Sequence, residues 1–252
     1  MATHVEQVMG LPVSLDLRDE GDFTGAVADA FRWLREVDAR FSPFRSGSEV
    51  CRYDRGETTE LSADLDEVLG LCAYYEDLSG GAFSARLPGR GLDPCAVVKG
   101  WAVQRAADRL HAAGARRFCL NAGGDVVTAG EPEPGRPWRV GIRHPEQPEA
   151  VCAVVASRDG AVATSAAYER GTHVLDGRTG LPATGLLSVT VVAEDLTHAD
   201  ALATAAFALG ADGIAWAAEQ PGCDVLIVDA QRRVHRSPGL ALACPECPQC
   251  TR

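Results

Sequence analysis

The amino-acid sequence predicts a single α+β domain in which helices pack on a largely antiparallel sheet. Short apolar segments bounded by glycine turns, typical of antiparallel strands, occur along the chain together with amphipathic helical segments. No internal repeat or long linker interrupts the 252 residues, a length that suits one large domain. We therefore assign residues 1–242 to this domain and residues 243–252 to a short cysteine-containing tail.

The N-terminal half is predicted to be mainly helical. Partial alternation of apolar residues predicts a first strand over 8–17, and apolar positions at helical spacing predict a helix over 21–39. Ser62 is placed to cap a further helix, which ends at the glycine pair 80–81. A loop rich in glycine and proline then leads into a helix over about 97–113.

The C-terminal half is predicted to alternate between sheet and helix. A glycine turn inside 116–130 predicts a hairpin, and the residues that follow contain the clearest strand of the chain, 186–194. Two consecutive helices are predicted after it, ending near residue 220. The remaining predicted strands cover residues 136–145, 150–157, 161–166 and 223–230, with a short edge piece within 231–240.

Charge and cysteine content exclude several classes of function. Lys and Arg number 24 and Asp and Glu 35, giving a net charge of −11, so we expect no nucleic-acid or membrane partner. No apolar run approaches the roughly 20 residues of a membrane span, and the first residues do not resemble a signal peptide. We therefore expect a cytoplasmic protein with thiols at its six scattered cysteines: Cys51, Cys72, Cys95, Cys119, Cys152 and Cys223.

The remaining three cysteines form a cluster in the tail. Cys244, Cys247 and Cys250 have the spacing of a metal or cluster ligand set but lack a fourth cysteine nearby. Two interpretations stay open, a disordered tail and a partial site completed by a histidine or by another chain.

Two segments offer groups that could meet an anionic or polar ligand. Asp93 and Pro94 precede a predicted helix whose first turn carries Lys99, and a lysine at a helix N-terminus favours phosphate. The alternative is a capping aspartate with a solvated lysine. The glycine pair of residues 121–125 allows either close approach to a ligand or a plain hairpin turn.

Two other segments carry candidate chemistry. His173 and Asp176 could act as a general base and the residue that orients it, although an ordered turn would also explain them. Asp200 and Thr204 lie four residues apart, so on a helix they share a face and offer oxygen ligands suited to Mg²⁺. A capping box formed by Thr197 and Asp200 is the competing interpretation, and it leaves Thr204 unexplained.

In this order along the chain, these segments form a combined pattern from Met9 to Gly210. The pieces are Met9-Gly10, FSPFR from residue 41, SEV from 48, GAF from 81, DP from 93, KGWAV from 99, NAGGD from 121, WRVGI from 138, ATS from 163, His173, Asp176, RTG from 178 and ADALAT from 199. The pattern resembles the ApbE family of FAD:protein FMN transferases.

The resemblance implies Mg²⁺-dependent cleavage of the FAD pyrophosphate and transfer of FMN to a Ser or Thr hydroxyl of a target protein, with release of AMP. The target would carry an Asp-x-x-Ser/Thr-Gly-Ala-Ser/Thr motif. Some family members instead hydrolyse FAD to FMN and AMP, and a flavin-binding protein without this chemistry is a third possibility.

The resemblance also implies site residues. Metal ligands would be Asp200, Thr204 and the backbone carbonyl of Ala96. The FAD site would be lined by Met9, Phe44, Ala82, Phe83, Ser84, Asp93 and Lys99. The sequence departs from the family pattern at Ser84, Ala166 and Gly177, where relatives often carry Asp, Gly and Pro. These departures leave the metal ligands intact.

Overall fold

The computed structural model of the chain describes residues 2–87, 89–167 and 174–243. One predicted site residue, His173, lies outside the described residues. The predicted cysteine cluster of the tail, Cys244, Cys247 and Cys250, also lies outside them.

The chain opens with a hairpin, β1 (Ala2–Val8) and β2 (Leu11–Leu17). The prediction of one strand over 8–17 was wrong, because the chain reverses between Val8 and Leu11, which pair with each other. Met9 and Gly10 form the turn with φ angles of 54° and 71°. Positive φ at both central residues is the geometry of a two-residue hairpin turn.

The helices largely follow the predicted pattern. They are α1 (Thr24–Phe41), α2 (Glu49–Asp54), α3 (Ala63–Leu78), α4 (Cys95–Ala112), α5 (Leu196–Leu209) and α6 (Gly213–Ala218). Ser62 caps α3 as predicted, since its hydroxyl accepts the Leu65 amide at 3.3 Å. Helix α2 was not predicted. Helix α4 begins two residues earlier than predicted, so Lys99 is its fifth residue and does not lie in the first turn.

The remaining strands are β3 (Phe118–Ala122), β4 (Asp125–Ala129), β5 (Trp138–Arg143), β6 (Val151–Ser157), β7 (Gly160–Ala166), β8 (Leu175–Asp176), β9 (Leu181–Pro182), β10 (Leu186–Ala193), β11 (Cys223–Asp229) and β12 (Val234–Arg236). Eight of the twelve strands in the described residues form a sheet in the order β1-β2-β3-β4-β7-β10-β11-β12, with every neighbouring pair antiparallel. The predicted α+β class and antiparallel sheet are confirmed, and β12 is an edge strand as predicted.

The sheet has an apolar layer on each face. Successive residues of one strand contribute to opposite layers: Val127 belongs to the larger core, shared with the helices, and Val126 to the smaller one. The smaller core is covered by the separate β5–β6 hairpin. The last described residue, Ala243, is tied to this hairpin by a 2.8 Å hydrogen bond from its amide to the carbonyl of Val154.

Four of the scattered cysteines, Cys51, Cys72, Cys119 and Cys223, are free thiols as predicted. Burial raises the pKa of Cys72 to about 12 and that of Cys119 to about 11. These two sulfurs therefore stay protonated at neutral pH and are unsuited to nucleophilic chemistry.

One helical segment of the described residues is long and apolar enough, by length and composition, to cross a membrane, although polar and charged residues interrupt it. It is Leu196–Ala218, with 23 residues, and its most apolar window of 18 residues has a mean hydropathy of 1.4. Of that window, 56% is buried inside the protein. The segment comprises α5, a 3₁₀ turn and α6. Packing of α5 in the larger core accounts for this composition.

Helices α4 and α5 cross at very short range. A Cβ atom at Gly100 would lie 2.7 Å from the carbonyl oxygen of Leu196 and 2.8 Å from Cβ of Asp200. One turn further along α4, the side-chain oxygen of Gln104 accepts the Leu196 amide at 2.9 Å. The absence of a side chain at Gly100 therefore fixes how closely the first turns of α5 approach α4.

We expect Gly100→Ala to destabilise the protein by about 1–3 kcal/mol, because the added methyl group overpacks this crossing. Gly70→Ala is the matched control, since Gly70 lies on helix α3 with nothing within 4 Å of an added Cβ. That change should stabilise the helix by about 0.5–1 kcal/mol. Urea unfolding followed by circular dichroism measures both free energies, and equal effects would contradict the proposed close packing.

Candidate active site

Two buried carboxylates and a partly exposed lysine form a cluster at the crossing of α4 and α5. Nζ of Lys99 is 2.5 Å from Oδ2 of Asp125 and 3.4 Å from Oδ1 of Asp200. Asp125 is 1% exposed and Asp200 2% exposed. Charges buried this deeply require partners, and one lysine here serves two carboxylates. These three side chains together carry one excess negative charge.

Backbone amides hold the second oxygen of each carboxylate. The Gly100 amide donates to Oδ2 of Asp200 at 3.0 Å, and the Thr164 amide donates to Oδ1 of Asp125 at 3.1 Å. Oδ2 of Asp125 has no hydrogen-bond partner of regular geometry among the described residues, so its contact with Lys99 is an ion pair only. Both carboxylates are thus fixed in orientation by the main chain.

The electrostatics of Asp200 favour the approach of a cation. Burial raises the pKa of Asp200 above its ordinary range, against the opposing effect of Lys99 and with a further increase from Asp125. The ionised carboxylate is therefore incompletely compensated by its protein neighbours. A positive charge arriving beside Asp200 would stabilise its ionised form.

The capping interpretation of Asp200 was wrong. Helix α5 begins at Leu196, and its cap is Asp195, whose Oδ1 accepts the His198 amide at 3.0 Å. Thr197 consequently lies inside the helix and cannot form the N-terminal half of a capping box with Asp200. Asp200 instead contacts α4, through Gly100.

Two further oxygen donors lie one helical turn from this cluster. Thr204 follows Asp200 by four residues on α5, and its hydroxyl is 3.2 Å from that of Ser165 on β7. Ala96 precedes Gly100 by four residues on α4, so the Gly100 amide is its regular helical donor. Because that amide also donates to Asp200, the carbonyl of Ala96 and the carboxylate compete for one hydrogen.

The described residues contain no group of three or more His, Cys, Asp or Glu side chains arranged to hold a metal. A cation at Asp200 would therefore also require neutral oxygens, as a hydroxyl and a backbone carbonyl provide. Oxygen ligands of this kind suit Mg²⁺.

The residues predicted to contact flavin are distributed over three loops. Met9 lies half-buried in the β1–β2 turn, and Phe44 is 84% exposed in the loop before α2. Asp93 is exposed, and its Oδ1 accepts the Cys95 amide at 3.0 Å at the start of α4. Ala82 and Phe83 are buried, so a ligand would meet their backbone and not their side chains.

The loop between β8 and β9 packs against residues 81–84. The Gly177 amide donates to the carbonyl of Ala82 at 2.8 Å, and a Cβ at Gly177 would lie 2.7 Å from that of Ser84. Asp176 makes a two-pronged ion pair with Arg178, at 2.8 and 2.9 Å. Arg178 lowers the pKa of Asp176, which keeps this carboxylate ionised.

Sequence reasoning assigned no individual role to Asp125, Ser165 or Gln104. Asp125 did carry a signal, because it opens a strand that is otherwise apolar except for Thr128, and β4 proves to be buried at all five positions. A carboxylate at the start of such a strand requires a partner. Ser165 belongs to a Thr-Ser pair at a strand end that offers hydroxyl groups, whereas Gln104 has no comparable local signal.

Comparison with known proteins gives a consistent result. The ApbE family matches residues 9–88 and 85–227 of the chain. FAD:protein FMN transferases from Rhodobacter capsulatus, Treponema pallidum and Haemophilus influenzae are 37%, 36% and 30% identical over 76%, 75% and 88% of the chain. The matched regions span 36%, 59% and 84% of those relatives, so the chain covers less than two thirds of the first two.

Solved structures show the same fold. The flavin transferase ApbE from Vibrio cholerae superposes with a TM-score of 0.80 at 22% identity, and the ApbE protein from Thermotoga maritima with 0.81 at 24%. Each comparison covers 94% of this chain and 97% of the other.

Proposed function

The chain belongs to the ApbE family, and from that membership we propose that it is an FAD:protein FMN transferase. It would cleave the pyrophosphate of FAD and attach FMN to a Ser or Thr hydroxyl of a target protein, releasing AMP. The observation that carries this proposal is the cluster of Lys99, Asp125 and Asp200 beside Thr204. The overall negative charge of the protein would repel an anionic substrate, and the two carboxylates of this cluster could hold a cation that attracts it.

The residues present fit a magnesium ion. Asp200, Thr204 and the carbonyl of Ala96 supply only oxygen donors, and the excess negative charge of the cluster suits a divalent cation. Mg²⁺, when bound, supplies neutralisation of the negative charge on the FAD pyrophosphate. The protein fixes the carboxylate for this task through the Gly100 amide.

Flavin binding is proposed for the surrounding loops. Phe44 offers an exposed aromatic face to a ring system, and Met9 an apolar side chain in the neighbouring hairpin turn. Ala82 and Phe83 would contribute backbone groups, while Ser84 and Asp93 offer polar side chains at the loop surface. Lys99 would add a positive charge towards the phosphates.

We propose that His173 removes the proton from the attacking hydroxyl and that Asp176 orients the His173 imidazole. Asp176 supports this role because Arg178 keeps it ionised, and an ionised carboxylate can hold an imidazole in one tautomer.

The acceptor protein would carry the motif Asp-x-x-Ser/Thr-Gly-Ala-Ser/Thr. The free thiols of Cys51 and Cys223 support a cytoplasmic location, and the acidic composition supports the absence of nucleic-acid and membrane partners.

The proposed activity is tested by incubating the full chain with FAD, Mg²⁺ and a small acceptor protein carrying this motif. We expect flavin fluorescence to become covalently attached to the acceptor, with one AMP released per flavin. The control acceptor has Ala in place of both hydroxyl residues of the motif. Release of FMN and AMP regardless of the acceptor would indicate a pyrophosphatase, and recovery of intact FAD a flavin-binding protein.

Asp200→Asn should give a folded but nearly inactive protein. The substitution keeps the shape and an oxygen for the Gly100 amide but removes the one anionic ligand proposed for Mg²⁺, so turnover should fall by about 10³-fold or more. Asp66→Asn, which removes an exposed carboxylate from α3, is the matched control. Turnover of Asp200→Asn equal to that of the wild type at limiting Mg²⁺ would refute the metal site.

His173→Asn tests the proposed base. It should retain FAD binding, measured by flavin fluorescence, while turnover falls by about 10²–10⁴-fold, the range for loss of a positioned acid or base. Loss of FAD binding in step with activity would assign His173 to the binding site and the base to another residue.

A further inference from the structure

Asp125 is a buried acid for which the proposed reaction provides no task. It opens strand β4, is 1% exposed, and lies outside the proposed set of metal ligands. A buried carboxylate costs free energy unless it is paired and hydrogen-bonded. Asp125 meets both conditions, through the Thr164 amide at 3.1 Å and the ammonium of Lys99 at 2.5 Å.

Lys99 lies closer to one of its two acidic neighbours than to the other. Its ammonium is 2.5 Å from Asp125 but 3.4 Å from Asp200. The nearest oxygen of Asp200 to Lys99 is Oδ1, whereas Oδ2 is taken by the Gly100 amide. An ammonium and a metal cation repel each other, so Lys99 and a cation compete for Oδ1.

We infer that Asp125 is a positioning residue that holds the Lys99 ammonium to itself and thereby leaves Asp200 available to a cation. Asp125 suits this role because the Thr164 amide of the neighbouring strand β7 fixes the orientation of its carboxylate. The inference rests on the proposed cation site and extends it, since it assigns control of cation affinity to a residue that does not contact the cation.

The test is a double-mutant cycle on the full chain, with Mn²⁺ as the probe and electron paramagnetic resonance reporting the free ion. Asp125→Asn keeps the acceptor for the Thr164 amide and removes the charge beside Lys99. Of the two carboxylates, Asp200 alone then remains for the ammonium. We expect the Kd for Mn²⁺ to rise by about tenfold or more, within the range of coupling between contacting charges.

The same substitution in a Lys99→Met background separates positioning from simple attraction of the cation by a nearby negative charge. With the ammonium removed, Asp125→Asn should change the Kd by less than about threefold. An equal loss of affinity in the two backgrounds would overturn the inference. Asp66→Asn should leave the Kd unchanged in both.

Folding of each variant is checked by circular dichroism. If Asp125→Asn alone does not fold, the comparison is between Lys99→Met and Lys99→Met/Asp125→Asn, which removes both members of the ion pair. Similar Kd values for these two support the inference, and a tenfold weaker double variant overturns it. Failure of the wild-type chain to bind Mn²⁺ would overturn the cation site and this inference with it, whereas binding without flavin transfer would refute only the proposed activity.

Discussion

The close approach of α4 and α5 at Gly100 is the constraint on which the candidate site depends. Any side chain at this position would separate the helices, because its first carbon would meet the Leu196 carbonyl and the Asp200 side chain at less than 3 Å. With glycine there, a main-chain amide of one helix reaches a buried carboxylate of the other. Lys99 precedes this contact by one residue, which brings its ammonium within reach of the same carboxylate.

The site also shows how an acidic chain can meet an anionic substrate. With a net charge of −11 the protein as a whole would repel an anion, so attraction of the proposed substrate would have to be local. Two buried acids and one partly exposed lysine carry a formal charge of −1, which a single divalent cation would change to +1. The backbone amides of Gly100 and Thr164 stabilise the acids without adding a competing positive side chain.

The sequence predicted those parts of the fold and the site that depend on local patterns. The β3–β4 hairpin, most of the helices and the shared helical face of Asp200 and Thr204 follow from spacings of two to four residues, whereas the β1–β2 turn and α2 were missed. The capping interpretation failed because Asp195, two residues before Thr197, already occupies the cap. The pairing of Lys99 with Asp125 could not be predicted in this way, since it joins a helix to a strand and follows from how both pack around α5.

The composition of α5 connects stability with the proposed function. Eleven of its fourteen residues are buried, and α5 belongs to the apolar segment Leu196–Ala218, yet Asp200 is the fifth residue of the helix. An apolar residue at this position would pack against the same core without the desolvation of a charge. The raised pKa of Asp200 reflects this desolvation of its ionised form when no cation is bound. A bound cation would offset it, so the carboxylate weakens the fold by the same electrostatic effect that would give the site its affinity.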